Sequence, residues 1–373
     1  MSTATLSRLA LEEVKIAALA SGVRIAPAVL EQLGGTQHLT VHEYATTGGI
    51  TLLLGEDVYV NAPFDEPFCA ASPLELVHGA DGALVLRLGE LTVEVVTVLP
   101  LPGYLSARDP RGRLVAETTM SHADRIRVSP LVGCVYDCAF CDLAPLRYQP
   151  REAEQILAGI DVALRDDALP PRHLLISGGS PARGQRHQDG FEAVCRAVVE
   201  HVQRVAGHDF EVDVMMSARP DGPAFVDRMV DAGVHGFALN VEVFSEAHAA
   251  RQLPLKHKFA RPHLGPMIAR AVERLGWGNG RVRSLIIPGL EPVENTLAGV
   301  EWLASLGCSP AISPFRPARG TALEGAAPVS AEALKAVLAG ARESARRHGV
   351  LLAPTCVPCQ HNTLTFPWDV AVC

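Results

Sequence analysis

From Arg125 onward the chain alternates short apolar runs with amphipathic stretches, and this alternation limits its fold more than any other feature. The runs Arg125–Ser129, His173–Ser177, Phe210–Met216, Val234–Asn240, Arg281–Ile287 and Pro310–Ser313 have the length and content of strands. Between them, Glu152–Arg165, Phe191–Val205, Pro223–Ala232, Leu264–Leu275 and Asn295–Leu306 carry a helical period. Strands joined by single helices pair in parallel, because the crossover returns the chain to the same end of the sheet. The expected class is α/β, a partial (β/α)6 TIM-type barrel whose chemistry would sit at the C-terminal ends of its strands. A small N-terminal α+β domain (residues 1–120) is expected before the barrel (121–320), and a C-terminal extension (321–373) after it.

The N-terminal part reads in two halves. Residues to about 34 are expected to be helical, with Leu6, Leu9, Leu11, Val14 and Ala18 as the apolar stripe, Gly22 as a stop and Pro27 opening a second short helix. From Gly48 to Leu99, Ile50–Leu54 and Val58–Val60 flank Gly55-Glu56-Asp57, and Leu84–Leu88 and Leu91–Val98 flank Gly89-Glu90. Both patterns predict hairpins. Near the other end, Ser330–His348 predicts a helix with Ser330 as its N-cap and Gly349 as its stop.

The run Gly133-Cys134-Val135-Tyr136-Asp137-Cys138-Ala139-Phe140-Cys141 follows the first of the barrel strands. Three thiols so close in sequence converge on one centre only if the backbone wraps around it as a loop. Three thiolates suit a [4Fe–4S] cube with one iron left open to a small ligand. Zinc favours four ligands and paired C-x2-C units, so it fits a lone triplet less well. Unliganded structural cysteines are the plainest alternative.

This C-x3-C-x-F-C run, with Phe140 before the third cysteine, resembles the signature of the radical S-adenosylmethionine (radical SAM) superfamily, with a core like that of biotin and lipoyl synthases. The resemblance implies that Cys134, Cys138 and Cys141 hold a [4Fe–4S] cluster whose open iron binds SAM, which is cleaved reductively to a 5′-deoxyadenosyl radical. It also implies SAM contacts at later strand ends. Gly178-Gly179-Ser180-Pro181 stands where the family has a GGE-type motif; Ser180 replaces the acid, so only the backbone role carries over. Asn240-Val241-Glu242 resembles an N-x-E strand end, where a carboxylate can accept the ribose hydroxyls or the ammonium of SAM. Arg251, with Ser217 and Arg219 as weaker candidates, would bind its carboxylate. Ile286-Ile287-Pro288-Gly289-Leu290-Glu291 partly matches the adenine-contacting strand, Ser284 replacing its first glycine, and Ser313-Pro314-Phe315-Arg316-Pro317 resembles a closing segment that completes the adenine pocket.

A second cysteine group, Cys356-x2-Cys359-x13-Cys373, is spaced as in the auxiliary [4Fe–4S] motif of the molybdenum-cofactor GTP cyclase family. The resemblance implies a second cluster near the barrel mouth; a zinc site completed by His361, a disulfide or free thiols remain alternatives. Cys69, Cys195 and Cys308 read as core thiols, and Tyr136 and Tyr148, close to the triplet, as packing residues or proton donors.

Composition narrows the function classes. A net charge of −8 argues against a nucleic-acid binder. No apolar run reaches the roughly 20 residues that span a bilayer, and the charged N-terminal helix is unlike a signal peptide. Nine cysteines in unequal groups suit metal ligation in a reducing cytoplasm. The expected function is radical hydrogen abstraction from a small molecule in cofactor or natural-product biosynthesis, with an external flavodoxin- or ferredoxin-type reductant. Sulfur insertion from a sacrificed second cluster is one alternative, an iron–sulfur electron carrier or sensor another, and a peptide substrate also stays open.

Overall fold

The computed structural model describes residues 7–35 and 48–370. Helix α1 (Arg8–Ser21) begins where the Ser7 hydroxyl accepts a hydrogen bond from the Ala10 amide, and it ends at Gly22, whose φ is +70°. It buries Leu11, Val14, Ala18 and Leu19, but Leu9, expected in the same stripe, is 76% exposed. Two residues before Leu11, Leu9 falls on the opposite side of the helix. There follow β1 (Arg24–Ile25), α2 (Pro27–Gln32), β2 (Ile50–Leu54), β3 (Val58–Ala62), β4 (Leu74–His78), β5 (Leu84–Leu88) and β6 (Leu91–Val98). They form a six-stranded sheet in the order β1-β4-β5-β6-β2-β3, with α1 packed across β3, β4 and β6. Both expected hairpins are present, β2 with β3 and β5 with β6. Strands β1 and β4, which pair in parallel, were not anticipated.

The second sheet starts with β7 (Thr119–His122), which turns back antiparallel onto β8 (Arg125–Val128). Next come β9 (Leu131–Val132), β10 (Gln149–Pro150), α3 (Ala153–Ala163), β11 (His173–Ile176), α4 (Gln185–Ala206), β12 (Glu211–Met216), α5 (Gly222–Asp231) and β13 (Gly236–Leu239). The series continues through α6 (Glu246–Gln252), α7 (Pro254–Phe259), α8 (Arg261–Leu275), β14 (Val282–Ile286), α9 (Val293–Ser305), β15 (Ser309–Ile312), α10 (Ala331–His348) and α11 (Pro367–Val370). Strands β8, β11, β12, β13, β14 and β15 lie side by side in chain order, all parallel, with β7 on the outer edge of β8. Strand β7 spans the boundary expected at residue 120.

The two faces of this sheet differ in character. Ile126, Val128, Leu174, Ile176, Val212, Val214, Phe237, Leu239 and Ile312 are buried among apolar residues. The alternate residues face a cavity of about 390 Å³, and many of them are charged, including Arg125, Arg127, Glu211, Asp213 and Arg283. Period-two alternation thus gives a dry outer face under the helices and a polar inner one.

The C-terminal segment lies beside β15. The Ala353 amide donates to Pro310 O and the Leu364 amide to Ile312 O, so residues 353–364 run along that strand's free edge. The same segment packs against β3 of the first sheet, and one apolar core joins residues from Leu11 to Phe366. Among the described residues, no helix is long and apolar enough to cross a membrane.

Candidate functional site

The cysteine run forms a closed loop. Strands β9 and β10 pair antiparallel, Val132 opposite Gln149 and Leu131 opposite Pro150, and pinch the chain on either side of residues 133–148. Gly133 turns into the loop at φ +65°, where a Cβ would lie 2.5 Å from Leu146 O. The loop is tied to its surroundings by the Ala139 amide donating to Gln252 O and by Asp137 Oδ1 accepting from the Leu255 amide. Cys134, Cys138 and Cys141 are half-buried and line the cavity, as does Phe140. Cys134 Sγ accepts from the amides of Tyr136 (3.4 Å) and Ser180 (3.2 Å). Burial pushes the Cys138 thiol well above the usual range and Cys141 up to about 12. Without a cation these two thiols stay protonated at neutral pH, so it is a bound metal that would make them thiolates. Tyr136 is buried on the cavity wall, whereas the Tyr148 hydroxyl accepts from the Ala182 amide.

The glycine pair after β11 abuts this loop. A Cβ on Gly179 would lie 1.8 Å from Gly133 O, so the two backbones touch only because no side chain intervenes. Gly178 has φ +124°. Gly178 and Ser180 line the cavity, and the Ser180 hydroxyl donates to Ser217 Oγ at the end of β12.

The strand ends complete this end of the cavity. Asn240 and Glu242 follow β13, Ile287 follows β14 and Phe315 follows β15, and all four line it. Asn240 Oδ1 accepts from the Leu285 amide. Glu242 has φ +61°, a costly conformation for a residue with a side chain, held by the Glu242 amide donating to Leu285 O and the Ile287 amide donating to Glu242 O. Its Oε1 accepts from Lys256 Nζ at 2.7 Å, while Oε2 is buried with no hydrogen-bond partner. Burial disfavours the Lys256 ammonium, but the Glu242 carboxylate beside it outweighs this and holds its pKa above the usual lysine value. Pro288 stands behind the wall, its carbonyl accepting from the Phe315 amide. Arg316 lines the cavity and donates to Asn61 of the first sheet (2.7 Å).

Two expected contacts lie elsewhere. Arg251 is exposed on α6, outside the cavity wall, because its neighbour Ala249 is the residue that α6 turns inward. Lys256, on α7, is the cation the fold brings to Glu242; a lysine inside Pro-Leu-Lys-His-Lys-Phe carries no motif to reveal it. Arg219 is buried in an ion pair with Asp221 and stands over the Phe225 ring.

The C-terminal cysteines are not at the strand ends that carry the triplet. Cys356 and Cys359 lie beside Asp124, which precedes β8, and His173, the first residue of β11, so they sit at the N-terminal ends of the strands. This corrects the expected position near the barrel mouth; the tail returns past the opposite edge. The same cavity reaches both ends, since His173, Cys356 and Cys359 line it too. Cys373 lies outside the described residues. His361 is not the imidazole beside these thiols: its Nδ1 donates to Pro358 O and its ring faces His122, 4.0 Å between centroids. Cys69, Cys195 and Cys308 are buried, and burial raises all three thiols, Cys69 to about 11.

No family profile matches the chain, and no curated protein matches it. Among solved structures it is similar to HydG, a maturase of the [FeFe]-hydrogenase, at 15% identity and a TM-score of 0.47, over 61% of this chain and 50% of that one. It is similar to a radical SAM methyltransferase from Sphaerobacter thermophilus at 17% identity and a TM-score of 0.45, over 75% of this chain and 76% of that one. A third is coproporphyrinogen III oxidase (HemN) from Escherichia coli, a radical SAM enzyme, at 13% identity and a TM-score of 0.38, over 48% of this chain and 41% of that one. The chain spans half the length of HydG.

Proposed function

We propose that this chain is a radical SAM enzyme acting on a small molecule held inside a partial (β/α)6 barrel, in a reducing compartment. The observation that carries the reading is that one loop brings Cys134, Cys138 and Cys141 onto the wall of the cavity that Ser180, Asn240 and Glu242 also line. These residues fit the groups they would hold. The loop supplies three thiols, the amides of Tyr136 and Ser180 are aimed at one of their sulfurs, the glycine pair lets the loop seat against the end of β11, and Glu242 Oε2 lacks a donor.

Cys134, Cys138 and Cys141 would hold a [4Fe–4S] cluster, with SAM beside it. Bound there, they would supply a 5′-deoxyadenosyl radical for hydrogen abstraction. The protein's own contribution is position and exclusion of water. Glu242, fixed by Lys256, presents a carboxylate oxygen to the hydroxyls or ammonium of SAM. Ile287 and Phe315 give an apolar wall suited to adenine, and the backbone around Gly178 and Ser180 approaches the amino-acid end. Deeper in, Arg127, Asp213 and Arg283 give a polar lumen for the substrate, with Asp213 and Arg283 paired at 2.7 Å. The electron would come from a flavodoxin- or ferredoxin-type donor, and residues 1–120 would serve as an accessory domain that braces the cavity through Asn61 and Arg316. Cys356 and Cys359, expected with Cys373 to hold a second [4Fe–4S] cluster, face Asp124 and His173, a mixed set of donors that suits a single ion better than a cube.

The test is product formation. Anaerobically reconstituted protein with dithionite and SAM should release 5′-deoxyadenosine and methionine, and Cys138→Ala should release none. Absence of 5′-deoxyadenosine from wild-type protein carrying a full iron complement would contradict the reading.

A further inference from the structure

Four side chains from three distant segments converge at the N-terminal ends of the parallel strands. Parallel pairing sets His173 opposite Arg125, which brings His173 next to Asp124, the residue before β8. The tail then delivers Cys356 and Cys359 to the same point, and the ligand atoms of all four residues lie within 4.8 Å of one another. Cys356 Sγ is 3.3 Å from Asp124 Oδ1, Cys359 Sγ is 3.3 Å from His173 Nε2, and His173 Nε2 is 3.6 Å from Asp124 Oδ1.

These separations discriminate between kinds of metal centre. Bonds of about 2.0–2.3 Å to nitrogen, oxygen and sulfur imply tetrahedral edges of roughly 3.3–3.8 Å around one zinc ion. All three measured edges fall in that range. Thiolates bound to different irons of a cube stand much further apart from their neighbours than this. The donor set of two thiols, an imidazole and a carboxylate is one that zinc accepts. Cys359 is buried, and the other three are mostly enclosed.

We propose that Asp124, His173, Cys356 and Cys359 bind a single Zn2+ ion that fastens the C-terminal tail across the floor of the cavity. Four protein ligands leave no open position, so the ion is structural and takes no part in substrate binding. It joins β8, β11 and the tail at the end of the sheet opposite the Cys134–Cys141 loop. There it closes the lumen from below. This inference is independent of the one above, since none of the four residues belongs to the triplet site.

The test separates the two sites. Full-length protein carrying Cys134→Ser, Cys138→Ser and Cys141→Ser, purified without added iron, should contain about one zinc per chain by elemental analysis. X-ray absorption at the zinc edge should give two sulfur and two nitrogen or oxygen neighbours, at about 2.3 and 2.0 Å. Stripping the ion with a chelator should lower Tm, and adding Zn2+ should restore it, a reversible readout that does not depend on a variant folding. Adding Cys356→Ser and Cys359→Ser should abolish the zinc. Folded protein with no zinc, a thiol and carboxylate cluster held by hydrogen bonds alone, would overturn the proposal. So would wild-type protein with about eight irons, four of them lost with Cys356→Ser and Cys359→Ser.

Discussion

Glu242 concentrates the site's strain in one residue: a positive φ at a strand end, one carboxylate oxygen on Lys256 and the other without a partner. Such an arrangement persists where the surroundings force it, and it leaves an acceptor ready for a ligand. Glu242→Gln keeps the shape but removes the charge, so SAM affinity measured by calorimetry should fall at least tenfold, about 1.4 kcal/mol. Arg251→Ala should leave that affinity within twofold, because Arg251 is exposed on α6. Equal losses in both variants would return Arg251 to the site. At this scale the sequence was informative where spacing itself carries the chemistry, as in the triplet, and misleading where helical phase decides. Arg251 and Lys256 are both cations near Glu242 in sequence, and only the local turn of α6 and α7 chooses between them.

Among the elements, the six parallel strands and the helices α3, α5, α8 and α9 were legible to within a few residues, because apolar runs and helical stripes report which face is buried, whereas the first turns of α4 and the short helices α6 and α7 were not. The strands that escaped notice are β1, β4, β7, β9 and β10, and β1, β9 and β10, with 2 residues each, are too short to carry a pattern of their own. Nor was the inner face foreseen. Each strand shows its apolar half to the helices, while Arg125, Arg127, Asp213 and Arg283 on the other half line the cavity. Helix α4 offers a direct check on local energetics. Gly190 lies in its interior, exposed, and a Cβ there would meet nothing within 4 Å. Gly190→Ala should therefore stabilise the protein by about 0.5–1 kcal/mol in thermal or denaturant unfolding. A loss of stability would mean that α4 is packed by something further.

Over the whole molecule, the first and last segments are joined through Lys15. Its Nζ, fully buried, donates to Gln360 O (2.9 Å) and Thr365 O (2.7 Å) and stands 4.7 Å from the Phe366 ring centre. Burial pushes its pKa down to about 7 against the opposing pull of Asp369. The unfolded chain then holds more protons on this lysine than the folded one between pH 7 and about 10.4. Its contribution to stability should rise with pH across that window and be flat below it. The difference in unfolding free energy between wild type and Lys15→Met should change by up to roughly 5 kcal/mol between pH 7 and 10.5. A difference that does not vary with pH would refute the assignment. The sequence did not disclose this joint, nor the meeting of Cys356 and Cys359 with Asp124 and His173, because each contact joins residues 186 or more apart in the chain and follows only from the tail lying along β15. The central claim remains the chemistry at the other end of that cavity. Reduced-state EPR of anaerobically reconstituted protein, recorded with and without SAM, tests it most directly: a [4Fe–4S] signal that shifts on adding SAM and vanishes in Cys138→Ala is expected, and a cluster signal indifferent to SAM would make the protein an electron carrier instead.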